Sequence, residues 1–226
     1  MKVGTDGVLL GAWVPLQPAD RRLLDIGTGT GLIALMLAQR HPEARVTAVD
    51  IDPRCAAQAR QNADASPWGA RISVSCSPVQ EYLPDGAADG FDLIVSNPPY
   101  YDDSLLPPDA GRTTARHAVS LRSDELLAAV DRLLAPCGRF ALILPSDAAD
   151  RFCREAALAF RLTARTDVHT TPASGPRRSL LHLVRAAGEA DASQAEAAVR
   201  QLVIQTAPGC YTSEYRALTA DFYLKF

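Results

Sequence analysis

This sequence lacks long hydrophobic runs, contains little lysine and carries no net positive charge. No stretch of about 18 apolar residues occurs, so no membrane-spanning helix is predicted. The 23 basic residues include only two lysines, and 26 acidic residues outnumber them, which gives a net charge of −3. A uniformly basic surface is therefore excluded, and any contact with a nucleic acid must rest on a local patch of arginines.

Cysteines are few and are not spaced as metal ligands or disulfide pairs. The five cysteines form an odd set with no C-x-x-C spacing, which disfavours a zinc site and a disulfide framework. The sequence therefore predicts no bound metal and a reduced, cytoplasmic protein. The polar residues at the start of the chain, which are unlike a secretory signal, favour the same location. Cys76 and Cys137 lie in or beside apolar runs and are predicted to be buried.

Strand-like and helix-like segments alternate along the chain, a pattern typical of βαβ units. Seven segments have the short apolar character of strands: 22–26, 45–50, 71–76, 91–96, 139–144, 161–170 and 179–185. A weaker candidate covers 199–206. We predict a doubly wound, Rossmann-like α/β fold with a seven-stranded, mostly parallel sheet and helices on both faces. The ligand site of such a fold lies at the carboxyl ends of its strands.

A glycine-rich loop follows the first predicted strand and precedes a predicted helix. It runs from Asp25 to Gly31 and reads D-I-G-T-G-T-G. Glycines permit a tight turn and a close approach of backbone to a ligand. The spacing departs from G-x-G-x-x-G, which disfavours a nicotinamide cofactor. Asp50 ends the second strand. In nucleotide-binding α/β folds an acidic residue at that position accepts hydrogen bonds from the ribose hydroxyls. Asp25, just before the loop, is placed to attract a cationic group of a ligand.

A second motif, Asn97-Pro98-Pro99-Tyr100, follows the fourth predicted strand. Its residue types suit methylation of a planar amino nitrogen, whose lone pair is delocalised into the ring. The Asn97 side-chain oxygen and the Pro98 carbonyl can each accept one N–H, which frees that lone pair. The prolines stiffen the backbone, and Tyr100 can stack on the ring. We therefore predict that all four residues are catalytic and that they act mainly by positioning.

The two motifs together resemble those of the class I methyltransferases that bind S-adenosylmethionine. This resemblance implies that the three loop glycines lie beneath the methionine part of the cofactor. It also implies that Asp25 lies near the amino group of the methionine part and that Asp50 binds the ribose. The predicted cofactor contacts are Asp25, Gly27, Thr28, Gly29, Gly31, Asp50, Ile51, Val79 and Asn97.

One position departs from the class pattern. Class I methyltransferases often have an acidic residue after the third strand that contacts the adenine amino group. Pro78 stands in that place here. We expect backbone groups around Val79 to make the contact instead.

The resemblance covers nearly the whole chain in its order of elements. We therefore expect a single methyltransferase domain over residues 1–226. It would comprise an N-terminal helical segment at 1–20, a cofactor-binding half at 21–145 and a C-terminal part at 146–226.

Further segments are similar to one bacterial family, which methylates N6 of adenine 37 in the anticodon loop of a valine tRNA. These segments are Met1–Trp13, Ser66–Trp68, Asn97–Tyr101 and Tyr211–Phe226. The resemblance implies an adenine N6 methyltransferase with a tRNA partner. The Asn-Pro-Pro-Tyr motif alone also fits enzymes that act on guanine N2 or on a protein glutamine amide. Acceptors in rRNA or DNA, and a fold that binds RNA without catalysis, are further alternatives.

An RNA substrate needs phosphate and base contacts near the strand ends. No acidic residue lies between Asp167 and Glu189, and this stretch contains Arg177 and Arg178 after a turn-like segment. Two more arginines lie in the long segment that follows the Asn-Pro-Pro-Tyr motif. We predict RNA contacts at Tyr101, Arg112, Arg116, Arg177 and Arg178. The alternative is a solvated basic loop.

Overall fold

The computed structural model describes residues 4–84, 90–99, 121–186 and 197–224. Its α-helices are α1 (Thr5–Trp13), α2 (Leu32–Arg40), α3 (Pro53–Asp64), α4 (Ser123–Leu133), α5 (Ser146–Ala156) and α6 (Ser213–Thr219). The first five strands are β1 (Arg22–Ile26), β2 (Arg45–Asp50), β3 (Ile72–Cys76), β4 (Phe91–Ser96) and β5 (Leu134–Pro145). The remaining strands are β6 (Phe160–His169), β7 (Pro176–Arg185), β8 (Val199–Val203), β9 (Gln205–Ala207) and β10 (Cys210–Tyr211).

The main sheet has the strand order β3-β2-β1-β4-β5-β7-β6-β8, and β7 runs antiparallel to both of its neighbours. The other neighbouring pairs are parallel. The chain moves outward from β1 to β3 and then returns to β4 on the other side of β1. The order of strands therefore reverses between β1 and β4, and in doubly wound sheets ligands bind at that point.

The predicted α/β class is confirmed, but the predicted number of strands is wrong. Within the described ranges the main sheet contains eight strands, because β8 pairs in parallel with β6. Of its five residues only Leu202 is buried, with 2% of its surface exposed. An edge strand with a single buried side chain has little hydrophobic pattern, which is why the sequence marks it only weakly.

Alternating side chains of the strands serve two apolar clusters, one on each face of the sheet. Leu24 of β1 belongs to the cluster that includes Leu126 of α4 and Phe152 of α5. The neighbouring Leu23 belongs to the cluster that includes Leu10 of α1 and Leu37 of α2. Successive residues of a strand point to opposite faces, so both faces of β1 carry buried leucines and helices cover both faces.

Helix α1 packs tightly against α2 and so covers the sheet beside the strand ends. A Cβ atom at Gly11 would lie 2.7 Å from the sulfur of Met36. The Arg40 side chain also donates a 2.6 Å hydrogen bond to the Gly11 carbonyl. The loop after α1 is held by a buried ion pair between Asp20 and Arg139 of β5. These contacts fix the N-terminal segment relative to the sheet.

Cys76 and Cys137 are exposed, so the prediction that they are buried is wrong. Cys76 ends β3, which forms an edge of the sheet. Cys137 precedes the part of β5 that is continuously buried. Apolar neighbours in sequence do not bury a residue at the margin of a sheet. Among the helices of the described ranges, none is long and apolar enough to cross a membrane.

Candidate active site

A cleft of about 750 Å³ opens at the carboxyl ends of β1, β2, β3 and β4, and we call it the strand-end cleft. Parallel pairing of β1 with β4 places Ile26 opposite Ser96. The Ser96 hydroxyl donates a 3.0 Å hydrogen bond to the Ile26 carbonyl and ties the two strand ends together. The next residues along the chain, Gly27 and Asn97, therefore lie beside each other in the same cleft.

The glycines of the loop have two different tasks. Gly27 has a φ of +70°, and a Cβ atom there would meet nothing within 4 Å. This leaves open space for a ligand against the backbone. Gly31 has a φ of +80°, and its Cβ atom would lie 3.2 Å from Ala59 of α3. Gly31 thus permits close packing of α3 against the start of α2, whereas Gly27 forms part of the cleft wall.

Asp25 is buried behind the glycine loop and holds the loop in place through hydrogen bonds. Its Oδ2 accepts hydrogen bonds from the Thr28 hydroxyl at 2.6 Å and from the Ala34 amide at 3.1 Å. Its Oδ1 is buried and has no hydrogen-bond partner within the described part of the chain. Burial raises the pKa of Asp25 to about 7, although the hydrogen bonds from Thr28 and Ala34 act in the opposite direction. The carboxyl group is therefore partly protonated at neutral pH.

Asp50 joins the glycine loop to the start of α3. Its Oδ2 accepts a 2.8 Å hydrogen bond from the Gly29 amide, and its Oδ1 accepts one of 2.9 Å from the Asp52 amide. A carboxylate oxygen can accept more than one hydrogen bond. Asp50 lines the strand-end cleft, so both oxygens keep acceptor capacity for a diol. This arrangement suits the ribose of a nucleoside.

Most of the predicted cofactor and catalytic residues come together in this cleft. Those that line it are Gly27, Thr28, Gly29, Asp50, Ile51, Val79, Asn97, Pro98 and Pro99. Asp25 and Gly31 are not among the lining residues and act on the loop from behind. Tyr100, Tyr101, Arg112 and Arg116 lie outside the described residues.

The strand-end cleft is acidic. Four carboxylate residues line it, and none of its described lining residues is Lys, Arg or His: the four are Asp6, Asp50, Asp52 and Glu125. Burial raises the pKa of the lining thiol of Cys55, with Asp50 and Asp52 adding to the effect, so the thiol stays neutral. A cleft of this charge favours a cationic ligand.

The segment after β3 forms the apolar side of the cleft. Ile51 is 44% exposed and lines the cleft with Pro78 and Val79. Arg132 of α4 holds this segment, because its guanidinium donates hydrogen bonds to the carbonyls of Val79 at 2.9 Å and Tyr82 at 2.9 Å. An exposed isoleucine beside backbone groups that are held in place suits a planar adenine.

Sequence reasoning missed several residues of the site. The start of α1 contributes Gly4, Thr5, Asp6 and Gly7 to the cleft wall. The similarity of this segment to a known family was the available signal, but it assigned no role to these side chains. Arg132 carries no local signal, since it is 53 residues from the carbonyl of Val79 that it binds.

Arg177 and Arg178 lie beside a second cleft, which shares Thr5 and Asp6 with the strand-end cleft. Arg178 donates a 2.7 Å hydrogen bond from its Nε to Asp6, with which it forms an ion pair. Arg177 is exposed. In the described residues no group of three or more His, Cys, Asp or Glu side chains is arranged to hold a metal ion.

A sheet of this order, with a glycine loop, an acidic residue at the end of β2 and an Asn-Pro-Pro turn in one cleft, is typical of class I methyltransferases. The family model named Methyltransferase small domain matches residues 7–139. The chain belongs to the family of tRNA1(Val) (adenine(37)-N6)-methyltransferases. It is 47% identical to such an enzyme from Aeromonas hydrophila, with 100% of this chain and 91% of that protein covered. A relative of the same name from Bacteroides fragilis is 45% identical, with 100% and 92% covered. The resemblance noted in the sequence is confirmed.

Solved structures agree on the fold. A predicted O-methyltransferase from Agrobacterium tumefaciens superposes with a TM-score of 0.73 at 21% identity and covers 96% of both chains. A glycopeptide N-methyltransferase in complex with S-adenosylmethionine superposes with a TM-score of 0.55 at 17% identity, covering 79% of this chain and 94% of that one. At these identities the likeness concerns the fold alone.

Proposed function

We propose that this chain transfers a methyl group from S-adenosylmethionine to N6 of an adenine in tRNA. The nucleotide that is methylated is adenine 37 in the anticodon loop of a valine tRNA, and the enzyme acts in the cytoplasm. The names of its relatives support the substrate. The observation that carries the chemistry is the position of Gly27 beside Asn97 at the ends of two paired strands. This brings the cofactor loop next to a pair of acceptors for an amino group.

The strand-end cleft fits S-adenosylmethionine in charge and shape. Its carboxylates match a positively charged cofactor, and Asp50 has acceptor capacity for the ribose hydroxyls. The open space at Gly27 leaves room for the methionine part, and Ile51 presents apolar surface to the adenine. When bound, the cofactor would supply an electrophilic methyl group and would leave as S-adenosylhomocysteine, and the methylated nitrogen would release one proton to solvent. Asp25 keeps the loop in this shape through Thr28.

The Asn97–Pro99 turn supplies the acceptors for the target amino group. The side-chain oxygen of Asn97 and the carbonyl oxygen of Pro98 each accept one N–H of the adenine N6. This draws the nitrogen lone pair out of the ring and directs it toward the cofactor side of the cleft. The hydrogen bond from the Ser96 hydroxyl to the Ile26 carbonyl keeps the turn at a constant distance from the glycine loop. Such positioning accounts for much of the rate, since well-oriented intramolecular reactions gain about 7–11 kcal/mol.

A target adenine in a loop reaches this cleft at low energetic cost. An anticodon loop is single-stranded, so its bases can be splayed out without opening a duplex. An enzyme that acts on double-stranded DNA must instead supply the free energy of unpairing the target base. The cost of unpairing therefore favours an adenine in an RNA loop as the substrate.

The substrate is tested by offering radiolabelled S-adenosylmethionine with unmodified tRNA, rRNA, DNA or cell protein in parallel. We expect label in tRNA, recovered as N6-methyladenosine after digestion and mapped to position 37 of the valine tRNA. Label in rRNA, DNA or protein would retain methyl transfer and overturn the substrate. If none of the four substrates becomes labelled although the protein still binds S-adenosylhomocysteine, a fold that binds RNA without catalysis is favoured.

The mechanism is tested with Asn97→Ala. Loss of one oriented polar group at a reacting centre costs about 10²–10³-fold in turnover, so kcat should fall by at least about 100-fold. Affinity for S-adenosylhomocysteine, measured by calorimetry, should stay within a few-fold. Gln61→Ala is the matched control, because it removes an exposed amide that lines neither cleft. Turnover that survives in Asn97→Ala would contradict the acceptor role.

A further inference from the structure

The second cleft, which we call the tyrosine cleft, has a volume of about 530 Å³. Its lining includes Arg177, Arg178, Gln205, Tyr211, Tyr215 and Tyr223. These residues come from β7, β9, β10, α6 and the segment after α6. The start of α1 lies between it and the strand-end cleft, since Thr5 and Asp6 line both. The two clefts are therefore immediate neighbours.

The two clefts differ in charge. The strand-end cleft is lined by four carboxylates, of which Asp6 and Asp52 are paired with Arg178 and Arg54, whereas the described lining of the tyrosine cleft contains two arginines and one carboxylate, Asp6. Arg178 is paired with that carboxylate. Arg177 is exposed and brings a full positive charge to the rim. The tyrosine cleft therefore favours an anionic ligand, and a guanidinium suits a phosphate.

The tyrosines give the same cleft a rigid aromatic wall. The rings of Tyr211 and Tyr215 are stacked, with centroids 5.4 Å apart and an angle of 22° between their planes. Tyr215 is buried, and its hydroxyl donates a 3.3 Å hydrogen bond to the Tyr223 hydroxyl. Tyr211 is only partly buried and lines the cleft. An aromatic ring fixed in this way is a platform on which a nucleobase can stack.

We propose that the tyrosine cleft binds the nucleotide that adjoins the target adenine in the RNA chain. Arg177 contacts its phosphate, Tyr211 stacks on its base, and the Gln205 amide is available to the base edge. The inference rests on the proposed function, since it assumes that the adenine occupies the strand-end cleft. The thin wall of Thr5 and Asp6 then separates two consecutive nucleotides, and splaying them apart presents N6 to Asn97.

Binding is tested with a fluorescent anticodon stem-loop that contains a single target adenine, in saturating S-adenosylhomocysteine. Arg177→Gln should raise Kd about tenfold and reduce the slope of log Kd against log salt by about 0.7, the value for one lost phosphate contact on a single strand. Arg154→Gln is the control of equal charge, since Arg154 is exposed on α5 and lines neither cleft. It should leave both quantities unchanged.

The position of the neighbouring base is tested by photocrosslinking. A 5-iodouridine placed next to the target adenine should crosslink to the peptide that contains Tyr211, and this crosslink should be lost in Tyr211→Leu. Cofactor affinity of each variant, measured separately, shows whether the fold is retained. If Tyr211→Leu fails to fold, Arg177→Gln still decides the question.

The possible failures are distinguishable. If the wild-type protein methylates the stem-loop but Arg177→Gln binds it normally and the crosslink maps elsewhere, the tyrosine cleft is not the subsite, while the proposed function stands. If the wild-type protein neither binds nor methylates the stem-loop, the proposed function fails and the subsite with it. Free uridine monophosphate that competes fully with the stem-loop at equal concentration would indicate a site for free nucleotides and would also overturn the proposal.

Discussion

Asp25→Asn should change how the stability of the protein depends on pH. Asp25 is buried, and burial raises its pKa from 3.8 to about 7. The folded state therefore binds a proton that the unfolded state has already lost between about pH 4 and pH 7. The stabilisation from this proton is fully present below the unfolded pKa and is lost as pH rises through the folded pKa. One pKa unit corresponds to 1.36 kcal/mol, so the loss of unfolding free energy amounts to about 4 kcal/mol.

The asparagine variant removes this titration while keeping an oxygen to accept from Thr28 and Ala34. Relative to the variant, the wild-type protein should lose up to about 4 kcal/mol of unfolding free energy between pH 4 and pH 8. The measurement is urea unfolding at intervals of half a pH unit. Asp64→Asn, which removes an exposed carboxylate at the end of α3, controls for the change in net charge.

The reasoning would be refuted by a constant difference in unfolding free energy between wild-type protein and Asp25→Asn across this range. A difference that moves in the opposite direction, with the wild-type protein gaining stability as pH rises, would refute it too. Either result would mean that the carboxyl group is ionised in the fold at acidic pH. The loop would then be held by a charged rather than a largely neutral side chain.

Two further variants test the anchor of the N-terminal segment and the proposed contact of Asp50 with the ribose. Asp20→Ala leaves the Arg139 guanidinium, only 6% exposed, without its carboxylate, and should lower the unfolding free energy by about 3–5 kcal/mol in urea. Glu155→Ala, which breaks an exposed pair with Arg151, should cost less than about 1 kcal/mol. Asp50→Asn places an amide group against the backbone amides of the loop and removes a charged acceptor, so Kd for S-adenosylhomocysteine should rise about 10–100-fold by calorimetry. A Kd within twofold of wild type would exclude Asp50 as the ribose ligand.

Local patterns in the chain were enough to predict the parts of the site that are made from contiguous residues. The glycine loop and the Asn97–Pro99 turn each follow a strand with a clear apolar pattern, and parallel strands bring their carboxyl ends to one edge. The start of α3 is also predictable, because Asp52 caps it and proline occupies its first position. Such features depend on residues a few positions apart, so their physics is visible in the sequence.

Features that depend on distant residues were not predictable in this way. Asp6 and Arg178 are 172 positions apart, and their pairing is visible only once β7 lies beside α1. Cys76 was expected in the core but is exposed, because its strand forms an edge of the sheet. Exposure at an edge follows from the order of strands, which the pattern of a single strand does not encode.

The sequence by itself determined the alternation of strands and helices, the position of the glycine loop and the residues of the Asn97–Pro99 turn. Short-range hydrogen bonding, backbone conformation and hydrophobic period specify these features within segments of a few residues. Only the tertiary structure decided that α1 separates two clefts of opposite charge and that Arg132 holds the segment after β3. It also assembled the tyrosine cleft from separate segments of the chain. Those contacts form only when packing of the helices against the sheet has fixed the distances between segments.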